Sequence, residues 1–257
     1  IMSTSPCFLV HQKQKSRLVG AYMNVNRHTK LDPTPAPTVE DTIKKLASSR
    51  FIAASDQISA FPQMPCDPSG VERSVYITQD ITSASIGCRF GLKNAMPTHT
   101  RNINCFALRV DPTGKNFFPH VDDLYTCSMS FQQFFQMFGK FLSQCVTDKL
   151  KLKIKKLQIC PKRLDAVGQI IETTTGKHYP NPSRVEPVKD IAPARTIKHA
   201  QGILGTFGYY RKFIPRLEEI NAPIRECVRV ANAADTTRIK WTPAADKALS
   251  YLKTALL

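Results

Sequence analysis

Several short stretches of the chain combine apolar and β-branched positions in patterns that predict strands. Cys7–Val10 is apolar and is followed by a basic segment and a second apolar pair, which predicts a hairpin near the N-terminus. Phe51–Ser55 and Val75–Thr78 each predict one strand. Phe118–Tyr125 has two short apolar runs around a pair of acids, which predicts another hairpin with the acids near its turn. Lys149–Lys155 alternates lysine with Leu or Ile, which predicts a half-buried strand with a basic outer face.

Helical periodicity marks four further segments. A helix is predicted from Thr38, whose side chain can cap an N-terminus that carries acidic residues in its first turn. A longer helix is predicted after Ser130. Its apolar positions, which predict one buried face, are Phe131, Phe134, Phe135, Phe138, Leu142 and Cys145. Thr196 and the run from Trp241 begin two more predicted helices, and the proline-containing residues 173–193 predict a connector ahead of them.

Charge and composition narrow the class of protein. Lys and Arg number 36 against 20 Asp and Glu, a net charge of +16 in 257 residues, which suits a polyanionic partner such as nucleic acid. The chain has no run of about 18 apolar residues, so we expect no membrane span, and its N-terminus lacks a secretory pattern. The 8 cysteines are scattered, which favours reduced thiols and an intracellular location, cytoplasmic or nuclear.

The adjacent acids Asp122 and Asp123 are the first candidates for chemistry. Two neighbouring carboxylates oppose each other's ionisation, and a divalent cation removes that cost. Hard cations such as Mg²⁺ take carboxylate oxygens and keep positions open for a phosphate substrate. The alternative is an ordinary Asp-rich turn, in which short acids hydrogen-bond their own backbone.

Four segments resemble the motifs of one polymerase family. Phe118–Tyr125 resembles its aromatic-x-Asp-Asp box, and Arg50–Phe61 resembles the strand that carries its first catalytic aspartate. Phe90–Ala95 is close to its Phe-Gly-Leu-Lys-Asn-Ala run, and Gly208–Pro215 resembles a segment downstream of its polymerase core. The segments occur in the order and at spacings like those of the reverse transcriptases of gypsy-type LTR retrotransposons. The chain resembles that family from about Ser5 to its end.

The resemblance implies an α+β right-hand polymerase fold. It implies fingers at residues 1–31 and 64–100, a palm at 32–63 and 101–172, and a thumb or connection at 173–257. The implied activity is RNA-directed DNA synthesis from deoxynucleoside triphosphates. Asp56, Asp122 and Asp123 would be the catalytic carboxylates and the ligands of two Mg²⁺ ions, with Mn²⁺ as an alternative. Asp56 and Asp122 would be the main ligands.

The resemblance also assigns residues to the incoming nucleotide. Lys13 and Arg17 would hold its triphosphate, for which a flexible lysine and a forked guanidinium are suited. Phe61 would pack under the sugar and exclude a ribose hydroxyl, and Gly91 would let the backbone approach the nucleotide or template. The structural alternatives are a solvated basic turn, ordinary core packing for Phe61 and a simple turn glycine.

A second set of residues would contact nucleic acid. Lys151, Lys153 and Lys155 form a basic series that either contacts the phosphate backbone or is a solvated face. Gly168 falls where the family has a turn that grips the primer strand. The expected partners are an RNA or DNA template with its primer and deoxynucleoside triphosphates. Because Ile1 precedes Met2, we expect a fragment or a piece of a polyprotein. The resemblance implies that an RNase H domain would follow in the polyprotein.

The sequence departs from the family pattern at several positions. These positions are Ala21, Met23, Ile81, Ser83, Ser85, Arg89, Pro119 and His120. Pro119 lacks the backbone N–H of a strand residue and lies just before the acids. The departures therefore leave a rival hypothesis open, in which the chain is a catalytically degraded retroelement remnant that at most binds nucleic acid.

Overall fold

The structure is a computed structural model that describes residues 4–12, 15–73, 75–78 and 81–257. The strands in this part are β1 (Thr4–Gln12), β2 (Lys15–Gly20), β3 (Phe51–Asp56), β4 (Val75–Ile77), β5 (Thr82–Ser83), β6 (Phe117–His120), β7 (Asp123–Ser128), β8 (Gln158–Ile159), β9 (Arg163–Ala166), β10 (Gln169–Glu172) and β11 (His178–Pro180). The α-helices are α1 (Met23–His28), α2 (Val39–Ala47), α3 (Pro68–Arg73), α4 (Ala95–Val110), α5 (Phe131–Thr147), α6 (Pro182–Val185), α7 (Ile197–Tyr209), α8 (Leu217–Ala233) and α9 (Pro243–Leu256). This mixture of helices and sheets confirms the predicted α+β class.

The chain divides into two compact units. The first runs up to Leu164 and includes Glu172–Gly176, and the second comprises Asp165–Ile171 and Lys177–Leu257. The finer division into fingers, palm and thumb stays a prediction.

A four-stranded sheet with the order β6-β7-β3-β8 carries the candidate acids in the first unit. β3 pairs antiparallel with β7, from Phe51 opposite Ser128 to Asp56 opposite Asp123. α4 and α5 pack against this sheet, where the ring of Phe117 lies 5.0 Å from that of Phe141 and 5.9 Å from that of Phe106. These buried rings fix one face of the sheet and leave the ends of β3 and β7 to carry polar side chains.

Pro119 lies on an edge strand, and this explains why a proline is tolerated beside the acids. β6 is the outermost strand of its sheet, and Pro119 pairs with Leu124. The backbone bonds of an antiparallel pair alternate along the strand, and Asn116 accepts one from Cys127 at 2.7 Å. The nitrogen of Pro119 therefore points away from β7, where no ladder bond is needed. Pro119 thus lacks a donor, as expected, but the β6–β7 ladder uses none at this position.

The helix α5 forms where predicted but buries only part of its apolar face. Phe134, Phe141 and Cys145 are buried, whereas Phe131 and Phe135 are 58% and 67% exposed. At about 100° per residue, the exposed positions lie at one side of the predicted stripe and the buried positions at the other. The sheet and α4 cover one half of that stripe, so the prediction of a uniformly buried face was wrong.

The alternating segment Lys149–Lys155 does not form the predicted strand. Lys149 has a φ of 56° where α5 ends, and a 3₁₀ turn begins at Ile154. Between them, Leu152 forms an isolated bridge with Gln57. The backbone N–H of Lys151 donates to the side-chain amide oxygen of Gln63 at 2.7 Å. Side-chain bonding of this kind competes with a ladder, so alternation alone misidentified the segment.

The N-terminal hairpin forms as predicted and belongs to a second sheet of the first unit. β1 pairs antiparallel with β2, and it also pairs in parallel with β4, which the sequence predicted as a strand. β5 completes the order β2-β1-β4-β5.

Three helices form the core of the second unit. Phe207, Ile224 and Leu252 are fully buried where α7, α8 and α9 pack on one another. The two helices α7 and α9 begin where predicted and both are capped, since Thr196 accepts a bond from the backbone of His199 and Thr242 from that of Ala245. A three-stranded sheet has the order β11-β10-β9.

Two composition-based expectations can be compared with the structure. All 8 cysteines lie among the described residues, and each is a free thiol. Among the described residues, no helix combines the length and apolar character needed to cross a membrane.

Candidate active site

The acids Asp56 and Asp123 face each other at the ends of two central strands. They form the last pair of the β3–β7 ladder. The hairpin turn before Asp123 contains Val121 and Asp122, and it closes with His120 opposite Asp123. The backbone N–H of Gln57 donates to the carbonyl of Asp122 at 3.2 Å. The strand pairing therefore brings together acids that are far apart in the sequence.

The two facing carboxyls share a hydrogen bond and divide one negative charge unequally. Burial, together with the bond and the charge of Asp56, raises the pKa of Asp123 from 3.8 to about 7. Burial alone would also raise the pKa of Asp56, but hydrogen bonds from Lys156 and Asp123 outweigh it and hold that pKa below its ordinary value. Asp56 is thus the partner that stays ionised, and Asp123 is the partner that binds a proton below about pH 7.

Two lysines lie beside Asp56. The Nζ of Lys156 is 2.8 Å from Oδ2 of Asp56, and the Nζ of Lys153 is 3.8 Å from the same oxygen. The backbone N–H of Lys153 also donates to the carbonyl of Asp56 at 2.9 Å. The 3₁₀ turn that replaces the predicted strand therefore brings positive charge to the acids.

Asp122 is exposed in the hairpin turn. Its negative charge raises the pKa of Asp123 and also acts on His99. Within the described ranges, no group of three or more His, Cys, Asp or Glu side chains is already gathered closely enough to hold a metal ion. The structure thus pairs Asp56 with Asp123 directly and leaves Asp122 beside them.

The donor chemistry of these acids suits a hard divalent cation. Mg²⁺ prefers carboxylate oxygens, and three carboxyls lie at one end of the β3–β7 ladder. A proton on Asp123 with a pKa of about 7 exchanges readily near neutral pH, so cation binding requires little energy for its removal. The residues present therefore fit Mg²⁺.

His120, a departure from the family pattern, connects the acid hairpin to α2. Its Nδ1 lies 2.8 Å from Oγ1 of Thr42, which is itself buried. Burial lowers the pKa of His120, so the ring is neutral near pH 7. The histidine therefore holds the end of β6 in place through a hydrogen bond.

Phe61 lies in an aromatic group near the acids. Its ring centroid is 5.1 Å from that of Phe90 and 5.5 Å from that of His99, both edge-on. The Nε2 of His99 lies 3.2 Å from the amide oxygen of Gln57, the residue after Asp56. Burial lowers the pKa of His99 despite the opposing charge of Asp122.

Sequence reasoning missed His99 and Gln57. His99 is buried on α4, four residues from each of two other buried positions, Ala95 and Ile103. That helical spacing was the available signal for His99. Gln57 could have been found from its position directly after Asp56.

Gly91 is required by packing within the first unit. Its φ is 96°, and a Cβ at this position would lie 2.8 Å from the carbonyl oxygen of Gly20. The amide of Asn26 donates to the Gly91 carbonyl at 2.8 Å. A role toward the nucleotide stays a prediction.

The remaining predicted residues are distributed across the chain. Lys13 lies outside the described residues, and the backbone of Arg17 pairs with that of Val10 in β2. Lys151 and Lys155 are exposed in the segment before β8. Gly168 lies in the second unit, in the turn between β9 and β10, with a φ of 81°.

Known proteins similar to this chain are retroelement polyproteins. No family model matches the chain. The Pol polyprotein from transposon 297 of Drosophila melanogaster is 25% identical over 249 residues, which is 95% of this chain and 23% of that protein. The Gag-Pol polyprotein of baboon endogenous virus is 30% identical over 138 residues, 54% of this chain and 8% of that protein. The chain thus spans less than a quarter of the length of these relatives.

Solved structures show the same fold. The foamy viral protease-reverse transcriptase in complex with double-stranded DNA matches with a TM-score of 0.87, at 19% identity, over 98% of this chain and 43% of that chain. The same type of protein in complex with an RNA/DNA hybrid matches with a TM-score of 0.80, at 20% identity, over 98% of this chain and 33% of that chain. The predicted right-hand polymerase fold is confirmed. The chain is thus similar in sequence to retroelement Pol polyproteins and shares the fold of solved protease-reverse transcriptases.

Proposed function

We propose that the chain is an RNA-directed DNA polymerase that extends a primer with deoxynucleoside triphosphates. The observation that carries this proposal is the facing pair Asp56 and Asp123, with Asp122 in the adjoining turn, at the end of the central strands. The family resemblance and the polymerase fold support the same activity. Together they favour nucleotidyl transfer over a metal-free structural role.

Asp56, Asp122 and Asp123 would hold two Mg²⁺ ions, with Mn²⁺ as an alternative. When bound, such ions activate the primer 3′-hydroxyl and neutralise charge on the leaving pyrophosphate. Asp56 offers an ionised carboxylate, because Lys156 and Asp123 stabilise its charge. Asp123 releases its proton near neutral pH, which makes a second carboxylate available at the same ladder position.

The residues around the acids position the substrate. His120 and Thr42 fix the acid hairpin on α2, which limits movement of Asp122 and Asp123. Phe61 would lie under the sugar, where its ring would oppose a ribose 2′-hydroxyl. Its contacts with Phe90 and His99 support this role, since a ring held on two sides presents one face reproducibly. Phosphoryl transfer depends mainly on such positioning and on electrostatics.

The substrate partner would be a primer annealed to an RNA or DNA template. A net charge of +16 favours binding to phosphate, and the similar foamy viral proteins have been solved with double-stranded DNA and with an RNA/DNA hybrid. Lys151 and Lys155 are exposed and can contact the backbone of the nucleic acid. Lys13, Arg17 and Gly91 would act on the nucleotide, and Gly168 on the primer strand. An RNase H domain would be a partner within the polyprotein.

A catalytically degraded remnant is the second candidate. The ion pairs of Lys156 and Lys153 with Asp56 favour it, because these lysines supply positive charge at the position where a cation would bind. The edge position of Pro119 weakens it, because this departure leaves the ladder intact. A remnant would bind primer and template but would not extend the primer.

Primer extension by the purified chain with Mg²⁺ tests the proposal. We expect extension of a DNA primer on an RNA template, reduced by at least about 100-fold in Asp122→Asn. Asp190→Asn in the second unit is the matched control and should extend normally. Binding of primer-template without extension would support the remnant. Extension that survives Asp122→Asn would contradict the assignment of the acids.

A further inference from the structure

The turn between β9 and β10 has a backbone that its sequence disfavours. Val167 and Gly168 form the two-residue turn, with φ values of 44° and 81°. Positive φ suits glycine, but for a β-branched residue it is unfavourable. Two-residue turns with positive φ at both positions usually carry Asn-Gly. A valine there persists only where surrounding contacts hold it, and such strain concentrates at functional positions.

Two hydrogen bonds hold this turn. The hydroxyl of Tyr209 on α7 donates to the carbonyl of Val167 at 2.6 Å. The backbone N–H of Asn181 donates to the carbonyl of Gly168 at 3.1 Å. Both carbonyls of the turn are therefore fixed by residues outside the hairpin, and all four residues belong to the second unit.

Tyr209 is also in close contact with Gly168. A Cβ at Gly168 would lie 2.9 Å from the Tyr209 hydroxyl oxygen and 3.6 Å from Cδ of Arg184. The Tyr209 ring packs edge-on against the buried ring of Tyr210, with centroids 4.9 Å apart. The helix core thus sets the position of Tyr210, Tyr210 orients Tyr209, and Tyr209 sets the position of the turn.

We propose that Tyr209 is a positioning residue that holds the Val167–Gly168 turn in the orientation in which it contacts the primer strand. The proposal rests on the proposed function, which places Gly168 at the primer. Tyr209 is 50% exposed, so water can replace its hydroxyl at the Val167 carbonyl, and the bond adds little to global stability. The orientation of the Val167–Gly168 turn depends on the Tyr209 hydroxyl more directly than global stability does.

The test compares Tyr209→Phe, which removes only the hydroxyl, with Tyr251→Phe. Tyr251 on α9 is 54% exposed and is the matched control. We expect Tyr209→Phe to speed amide hydrogen exchange in a peptide covering residues 163–172. We also expect it to weaken binding of a labelled DNA primer on an RNA template by about 3- to 10-fold, the range for loss of one hydrogen bond. The KM for nucleotide should stay within about 2-fold, while Tyr251→Phe changes none of these quantities.

Rescue separates positioning from a general structural effect. Asn accepts positive φ better than Val, so Val167→Asn in the Tyr209→Phe background should restore both slow exchange and primer affinity. Unchanged exchange in Tyr209→Phe would overturn the proposal. Faster exchange with unchanged primer affinity would also overturn it. A parent chain that binds no primer-template would instead refute the proposed function, and with it the role of the turn.

Discussion

The acid hairpin and the β9–β10 hairpin both carry candidate functional residues but use different turns. In the acid hairpin, φ is positive at Val121 but not at Asp122. In the β9–β10 hairpin, φ is positive at both Val167 and Gly168. Each turn places a valine in a backbone region that usually needs glycine or asparagine. Each is also held from outside the hairpin, the first through His120 and the second through Tyr209.

The difference lies in what the second turn residue supplies. Asp122 supplies a charge beside the facing pair of acids, whereas Gly168 supplies a backbone with no side chain. The first hairpin is thus suited to chemistry and the second to close contact with a chain of nucleic acid. Under the proposed function, each strained turn would hold a functional residue, which is a carboxylate in the first turn and a backbone without a side chain in the second.

The largest expected effect that separates the hairpins is the pH dependence of stability caused by Asp123. Its folded pKa of about 7 lies above its ordinary value of 3.8, so the proton is held more tightly in the folded chain. The resulting stabilisation is fully present below about pH 4 and is lost as the pH rises to about 7. Asp123→Asn lacks this loss, because the amide cannot ionise.

Chemical denaturation at pH 5 and pH 8 measures this effect. The free energy of unfolding of Asp123→Asn minus that of the parent should be about 1–2 kcal/mol larger at pH 8 than at pH 5, after allowance for solvent screening. Equal differences at both values would mean that Asp123 and Asp56 share no proton in the folded chain.

The second effect concerns the glycine of the other hairpin. Gly168→Ala should lower the free energy of unfolding by about 1–2 kcal/mol, because its φ is 81° and the new Cβ would contact the Tyr209 hydroxyl. Gly202→Ala is the control, since α7 leaves more than 4 Å of space around a Cβ there. That change should stabilise the helix by about 0.5–1 kcal/mol. If urea titrations gave the same change in the free energy of unfolding for both variants, contact of the new Cβ with Tyr209 would not be the cause.

Much of the fold could be predicted because local pattern and tertiary structure agree. Thr38 caps α2 as predicted, α7 begins directly after Thr196 as predicted, and β3 ends at Asp56 within one residue of the expected position. The order of the motifs was sufficient to predict the polymerase fold. These features depend on short-range chemistry or on runs of residues, both of which are visible in one sequence.

The details of the site depend on contacts that the sequence does not show. Lys153 was assigned to a strand face, but the 3₁₀ turn before β8 directs its charge to Asp56. The direct partner of Asp56 in the ladder is Asp123, and only the register of β3 and β7 determines this. The contact of His120 with Thr42 joins residues 78 positions apart. Each depends on tertiary geometry that alternation or motif spacing does not encode.

The smallest expected effect concerns the contact that holds the acid hairpin. Thr42→Val removes the hydroxyl 2.8 Å from Nδ1 of His120 while keeping the side-chain shape. A half-buried imidazole nitrogen without its partner should lower the free energy of unfolding by about 1 kcal/mol. Thr147→Val is the control. It removes an exposed hydroxyl on α5 that is bonded to the backbone carbonyl of Ser143, and it should change the free energy of unfolding by less than about 0.5 kcal/mol.

If the hairpin comparison is right, Thr42→Val should slow primer extension about 2- to 5-fold without weakening primer binding. Tyr209→Phe should do the reverse. A loss of primer affinity in Thr42→Val would show that the two hairpins do not divide chemistry and binding between them.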